Sequence, residues 1–200
     1  MVPNITSGSS FYGVIAYNKI KVEDGTAKVL WHPKIAADTS GNMPIENCVQ
    51  AFEPYIALNS HVRKPVIHIS LNPSPKDILS EEQMTVLAQE FMEKFGYGNQ
   101  PYVVWLHEDI DRRHMHIVSV RINEKGEKID HNREGIRAQN ICREMEVKYG
   151  LHPTLGEHGQ RELVSLQKVD YAKGDVKAQL KHTARTLLEC YNFHSLAEYN

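Results

Sequence analysis

Apolar and polar positions are clearly patterned in the middle of this chain and only weakly patterned at its start. Residues 66–70, Val-Ile-His-Ile-Ser, read as a strand, and Asn72-Pro73-Ser74-Pro75 after it predicts a turn. Ser80 and Gln83 have capping-box spacing, and Leu79 and Met84 can close a hydrophobic staple over them. Met84, Leu87, Ala88, Phe91, Met92 and Phe95 then recur at helical spacing until Gly96 supplies a C-cap. Residues 102–107 and 114–122 are rich in β-branched and aromatic residues and predict two strands. Only residues 108–113 lie between them, which suits an antiparallel hairpin. Both faces of each strand are apolar, so the pair should be central in its sheet and covered by helices. A turn at 124–127, a helix over 137–149 ended by Gly150, and a last helix from about 175 to 190 follow. Near the start, Ser10 can cap a short helix through Phe11, Val14, Ile15 and Tyr17, weakened by Gly13. Residues 18–60 are poorly periodic, and Gly25, Pro33, Gly41, Pro44 and Pro54 predict short elements and loops there. The order βαββ followed by helices predicts an α+β fold, an antiparallel β-sheet covered by helices.

Composition narrows the class. The 200 residues suit one domain, residues 1–200, with 41 % hydrophobic and 24 % charged residues as in an ordinary globular protein. The chain ends at Asn200 without an obvious stop, as expected of the N-terminal part of a longer protein. No apolar run approaches a membrane span and no secretory signal opens the chain, so a cytoplasmic protein is expected. Cys48, Cys142 and Cys190 form no CxxC pair, which argues against a cysteine zinc site and predicts reduced, partly buried thiols. The net charge of −2 means that any nucleic-acid surface must be local. The 11 histidines are the unusual feature.

Three of them stand together in Trp105-Leu106-His107-Glu108-Asp109-Ile110-Asp111-Arg112-Arg113-His114-Met115-His116. His114 and His116, two apart, share a strand face. A symmetric hairpin sets His107 opposite His114, and cross-strand partners also share a face. Three imidazoles converging there make an open metal site with positions left for water or a phosphate oxygen. A shuffled chain of this composition gives about 0.6 His-x-His pairs by chance, but only about 0.03 with a third histidine at the hairpin position, so the triplet carries the information. The donors suit a divalent metal ion, with manganese or magnesium as the ion in use beside a phosphate ligand, and zinc as a tight site. Asp109 can orient a ligand histidine or be an ordinary loop residue. His61 and His68 are expected outside the cluster, in surface or core roles.

His-x-Asp-x4-His-x-His at 107–116 resembles the third motif of the relaxase/mobilization nuclease family. Ser7-Gly8-Ser9-Ser10-Phe11 followed by Tyr17 is similar to that family's N-terminal tyrosine segment, and His68-Ile69-Ser70-Leu71-Asn72, the capped helix and Phe95-Gly96-Tyr97-Gly98 follow in the family's order. Residues 141–146 with Tyr149-Gly150-Leu151 resemble its helix after the sheet; the likeness covers most of residues 5–155 and is weakest over 33–63. The resemblance implies an HUH-type relaxase sandwich and a DNA relaxase that nicks one strand at a transfer origin through a 5′-phosphotyrosyl intermediate. It implies Tyr17 as nucleophile, with nearby Tyr12 as the alternative and as a core-packing residue otherwise. Ser70 or Ser74 matches the second-motif serine loosely. It implies single-stranded or origin DNA, relaxosome accessory proteins and a transfer coupling protein as partners, and no membrane. Arg112 and Arg113 beside the ligands can track the DNA backbone, as can a basic stripe of Lys177, Lys181 and Arg185 on the last helix with Lys173 just ahead of its start; the stripe equally suits a solvated helix face.

Three other readings share parts of this pattern. A rolling-circle replication initiator would use the same chemistry at a different origin. A three-histidine metallohydrolase would need no Tyr17 and form no DNA adduct. A noncatalytic DNA-binding domain would unfold on metal removal without ever nicking.

Overall fold

In chain order, the computed structural model, which describes residues 1–37, 43–108 and 113–154, runs β1 (Val2–Gly8), α1 (Tyr12–Glu23), β2 (Ala27–Trp31), α2 (Ile45–Ala57), β3 (Val66–Asn72), α3 (Glu81–Phe95), β4 (Tyr102–His107), β5 (His114–Val120) and α4 (Glu134–Tyr149). Among the described residues the strands form one antiparallel sheet in the order β1-β3-β5-β4-β2. This is the α+β sandwich expected from the sequence, with the β4–β5 hairpin inside the sheet and helices on both faces.

Strand alternation divides the core in two. Ile67, Ile69 and Leu71 of β3, Met115 and Ile117 of β5, and Val104 and Leu106 of β4 point to one face, where they pack with the apolar side of α3 and with Ala138, Cys142 and Met145 of α4. Val66, Val103, Trp105, Val118 and Val120 point to the other, beneath Phe11, Ile15, Cys48 and Phe52 from α1 and its entry and from α2. Both faces of β4 and β5 are therefore buried, which is why these strands read as continuous apolar runs. The thiols of Cys48 and Cys142 are free and buried, and burial pushes both up to about 12, as suits inert core cysteines. Cys190 lies outside the described residues.

The local signals at α3 are realised. The Ser80 hydroxyl accepts from the Gln83 N–H at 3.2 Å, and the Gln83 side chain accepts from the Ser80 N–H at 2.8 Å. Gly96 closes the helix with φ +92°, a conformation that costs a side-chain-bearing residue. Leu79 and Met84 meet in the same core cluster.

Four elements depart from the sequence expectation: α1 is entered through Phe11 with no side-chain cap, the Ser10 hydroxyl accepting instead from the Tyr12 N–H at 3.3 Å, and it runs past Tyr17 to Glu23; the others are β1, α2 and β2. β1 carries no clear strand signal in the sequence because it is an edge strand with no buried run; its exposed Val2, Asn4 and Thr6 alternate with half-buried Pro3 and Ile5. α2 keeps Pro54 in its last turns, where the sequence suggested a break. Burial of Cys48 and Phe52 against the sheet outweighs the backbone hydrogen bond that the proline lacks. β2 is short, carries a register shift between Val29 and Trp31, and shows little periodicity. At the end of β5, Arg121 is 2 % exposed; its guanidinium donates twice to Glu134 (2.8 and 3.0 Å) and once to Ser7 (2.8 Å). That cluster ties the edge strand β1 to the start of α4, which begins three residues before the expected 137. The final helix expected near 175–190 lies outside the described residues. No helix among the described residues is long and apolar enough to cross a membrane.

These contacts rank two substitutions. Ser80→Ala removes one cap and should cost about 1 kcal/mol. Glu134→Ala leaves the buried Arg121 guanidinium without its carboxylate and should cost more, about 3 kcal/mol. Urea unfolding checks both through a lowered midpoint at unchanged slope.

Candidate metal centre

β5 is hydrogen-bonded on both sides, to β3 and to β4, and its first residues carry the site. His107, the last residue of β4, is registered opposite His114, the first of β5, and Trp105 is opposite His116. The hairpin therefore closes symmetrically, as the sequence predicted, and all three imidazoles leave the sheet on the α1/α2 face. Ring centroids are 4.3 Å apart for His107 and His116, 5.0 Å for His114 and His116, and 5.3 Å for His107 and His114. One ligand nitrogen from each lies within 4.8 Å of the others. Nitrogens sharing one ion sit roughly 3–3.5 Å apart, given metal–nitrogen bonds near 2.1 Å, so small ring rotations close the set. His107 and His114 are buried and His116 is half-buried. The donor set and spacing fit a divalent metal ion.

The cluster contains a fourth imidazole. His68, expected outside it, stacks on His116 at 4.9 Å, with its Nε2 2.7 Å from His116 Nδ1. The correction has a topological cause: β3 pairs with β5, and Ser70 is registered against His116, so His68 lies along the same face. Burial holds the His68 pKa below the usual imidazole value, favouring the neutral ring. If His116 holds the metal through Nε2, its Nδ1–H donates to His68 Nε2. The His68 Nδ1–H then points to the Thr6 hydroxyl at 3.5 Å, and that hydroxyl can donate to the His68 carbonyl at 3.5 Å. His61, by contrast, is exposed, as expected.

α1 lies beside these rings. Tyr17 is 48 % exposed, and its ring stacks nearly parallel to His107 at 6.1 Å between centroids. Lys21, one turn on, places its ammonium 5.7 Å from the centre of the Tyr17 ring. Asn18, the next residue, is fully buried, and its Oδ1 is 2.6 Å from His107 Nε2. Tyr12 faces elsewhere. It is not the core-packing residue expected, being 49 % exposed, with its ring on Phe11 and its hydroxyl 3.4 Å from Glu53 of α2. Sequence reading missed Asn18 and His68 because neither stands in the histidine motif and both reach it from other elements.

Of the remaining sequence candidates, Arg113 donates to the Leu79 carbonyl at 2.6 Å and pairs with Glu108 at 2.7 Å, holding the base of the hairpin loop against the start of α3. Ser70 accepts from Asn72 at 3.1 Å, whereas Ser74 is turned into its own loop and accepts from the Lys76 N–H. Asp109, Arg112, Lys173, Lys177, Lys181 and Arg185 lie outside the described residues.

The model of one family, described as relaxase, MobA/VirD2-like, nuclease domain, matches residues 15–151. That span runs from α1 through the histidine hairpin to the end of α4. No curated protein and no solved structure matches the chain. With the family model covering most of the chain, and with three histidines gathered on the central strands of an antiparallel α+β sandwich, the chain belongs to the relaxase family as a MobA/VirD2-like nuclease domain, a DNA-nicking enzyme.

Proposed function

We propose that this domain nicks one strand of a transfer-origin DNA by transesterification through Tyr17, as the first chemical step of conjugative mobilization. The observation that carries the reading is the Tyr17 ring, exposed to solvent and stacked against His107 of the three-histidine cluster. The phenolic oxygen bonds to the scissile phosphorus as the bond to the 3′-oxygen breaks. The phenolic proton goes to solvent or a nearby base, and the departing oxygen takes up a proton. The products are a 5′-phosphotyrosine on Tyr17 and a free 3′-hydroxyl. One phosphoester replaces another, so the step is near energy-neutral and can be reversed to rejoin a strand after transfer.

His107, His114 and His116 hold the metal ion, manganese or magnesium in use with zinc as the tighter alternative. A divalent ion there supplies Lewis-acid neutralisation of the phosphate charge. The exposed flank of Tyr17 leaves room for a single strand, and the Lys21 ammonium puts positive charge where that anionic backbone approaches. In this reading Arg112 and Arg113 supply positive charge for the DNA backbone, Asp109 orients a ligand histidine, and Lys173, Lys177, Lys181 and Arg185 bind backbone phosphates as well. Accessory relaxosome proteins and a coupling protein complete the assembly in the bacterial cytoplasm.

The chemistry is tested with a labelled single-stranded origin oligonucleotide and Mn2+. The native chain should form an adduct that survives SDS and acid; Tyr17→Phe should bind the oligonucleotide but form none, and Tyr12→Phe should keep most activity. Adducts from both variants would place the nucleophile elsewhere. For the metal, His114→Ala and His116→Ala should each lose the bound ion and nicking while remaining folded; an unchanged one ion per chain in both would refute the ligand assignment. For DNA grip, Arg112→Ala with Arg113→Ala should lower the salt slope of binding by about one unit per lost phosphate contact.

A further inference from the structure

Asn18 is an unusual residue for its position. It is fully buried in the middle of α1, where asparagine is a poor helix former and a buried amide costs free energy unless both of its ends are bonded. Both ends are bonded, and to different elements. Nδ2 donates to the Val14 carbonyl one turn back at 2.7 Å, and Oδ1 lies 2.6 Å from His107 Nε2 at the end of β4.

That pair of bonds has a direction. With its amide hydrogens turned toward Val14, Asn18 presents only an acceptor to His107, so Nε2 of the imidazole must carry the hydrogen. A neutral imidazole has one N–H, so the ring then offers Nδ1 to a metal. The same bond has a second consequence through α1. Successive helix residues point about 100° apart, so holding Asn18 inward sets Tyr17 on the flank of the helix, where it is found stacked on the ring that Asn18 holds. Lys21 follows on the Tyr17 side one turn later.

We propose that Asn18 is a positioning residue that registers the nucleophile's helix on the metal centre: its Oδ1 locks His107 as the Nε2–H tautomer and, through the same bond, fixes the turn of α1 that carries Tyr17. The inference rests on the reading of His107, His114 and His116 as a metal centre and of Tyr17 as nucleophile.

The test uses the whole 200-residue chain. Imidazole 15N spectra of the metal-free native protein, assigned against His107→Gln, should show His107 protonated at Nε2; protonation at Nδ1 overturns the proposal whatever the variants do. Asn18→Leu keeps the size and removes the acceptor, and calorimetry with Mn2+ should show affinity lowered by about 10–100-fold. Asn18→Asp keeps an acceptor oxygen and should bind Mn2+ close to the native level, which a purely structural role would not predict. At saturating Mn2+ the rate of adduct formation by Asn18→Leu should remain below native while oligonucleotide binding persists. Unchanged Mn2+ affinity in Asn18→Leu overturns the tautomer lock, and full recovery of the rate at saturating Mn2+ overturns the registration of α1. A native chain that binds no Mn2+ at all would instead defeat the metal-centre reading itself.

Discussion

The pairing of His107 with His114 across the β4–β5 hairpin is the constraint on which the site depends. Side chains alternate along a strand with a period of two, so a slip of one residue would turn His114 and His116 into the α3/α4 core and bring Met115 out in their place. Such a slip would bury two imidazoles among Leu106, Ile69 and Met145 while turning Met115 and Ile117 out of that core, and both changes are unfavourable. The register is therefore held by the whole apolar pattern of two strands buried on both faces. The loop joining them need not dictate it.

The two faces of the sheet divide the work. The α3/α4 side is a conventional core of leucine, methionine and phenylalanine, entered through a capped helix and closed by a left-handed glycine. The α1/α2 side carries a smaller apolar cluster around Trp105 and Phe52, and beyond it the strand ends carry polar groups: His68, Ser70, His107, His114 and His116. Buried polar groups need partners, and here they find them in one another, in Asn18 of α1, and in Thr6 of β1 and Asn72 of β3. Packing on the first face makes the strands rigid, and the second face uses that rigidity to hold imidazoles at defined spacing. Relaxase chemistry, which needs a phosphate, a nucleophile and a charge-neutralising centre held together, is served by that division of labour.

The nitrogens of the cluster are organised from outside the motif. His116 is met by His68 on β3, and His107 by Asn18 on α1, so two of the three histidines have the orientation of the ring set by a neighbour on a different element. Tyr17 and Tyr12 stand five residues apart on the same helix and are about equally exposed, yet only Tyr17 lies beside the histidines; Tyr12 leans on Phe11 and reaches Glu53. The helical period alone separates them onto different sides.

Local rules were enough to determine α3 with its caps, β3, the β4–β5 hairpin and the convergence of His107, His114 and His116. Each of these follows from spacing within a short window, either a 3.6-residue period, a two-residue alternation or a short symmetric connection. Edge strand β1, irregular β2 and proline-bearing α2 escaped those rules, because their stability comes from what they pair with or pack against and not from their own pattern. His68 and Asn18 escaped for the same reason. His68 reaches His116 only because β3 crosses over to pair with β5, and Asn18 reaches His107 only because α1 lies across the end of β4. Sequence periodicity reports which way a side chain points on its own element. Which group it meets there is set by the order of strands and the seating of helices, and that is decided by tertiary packing.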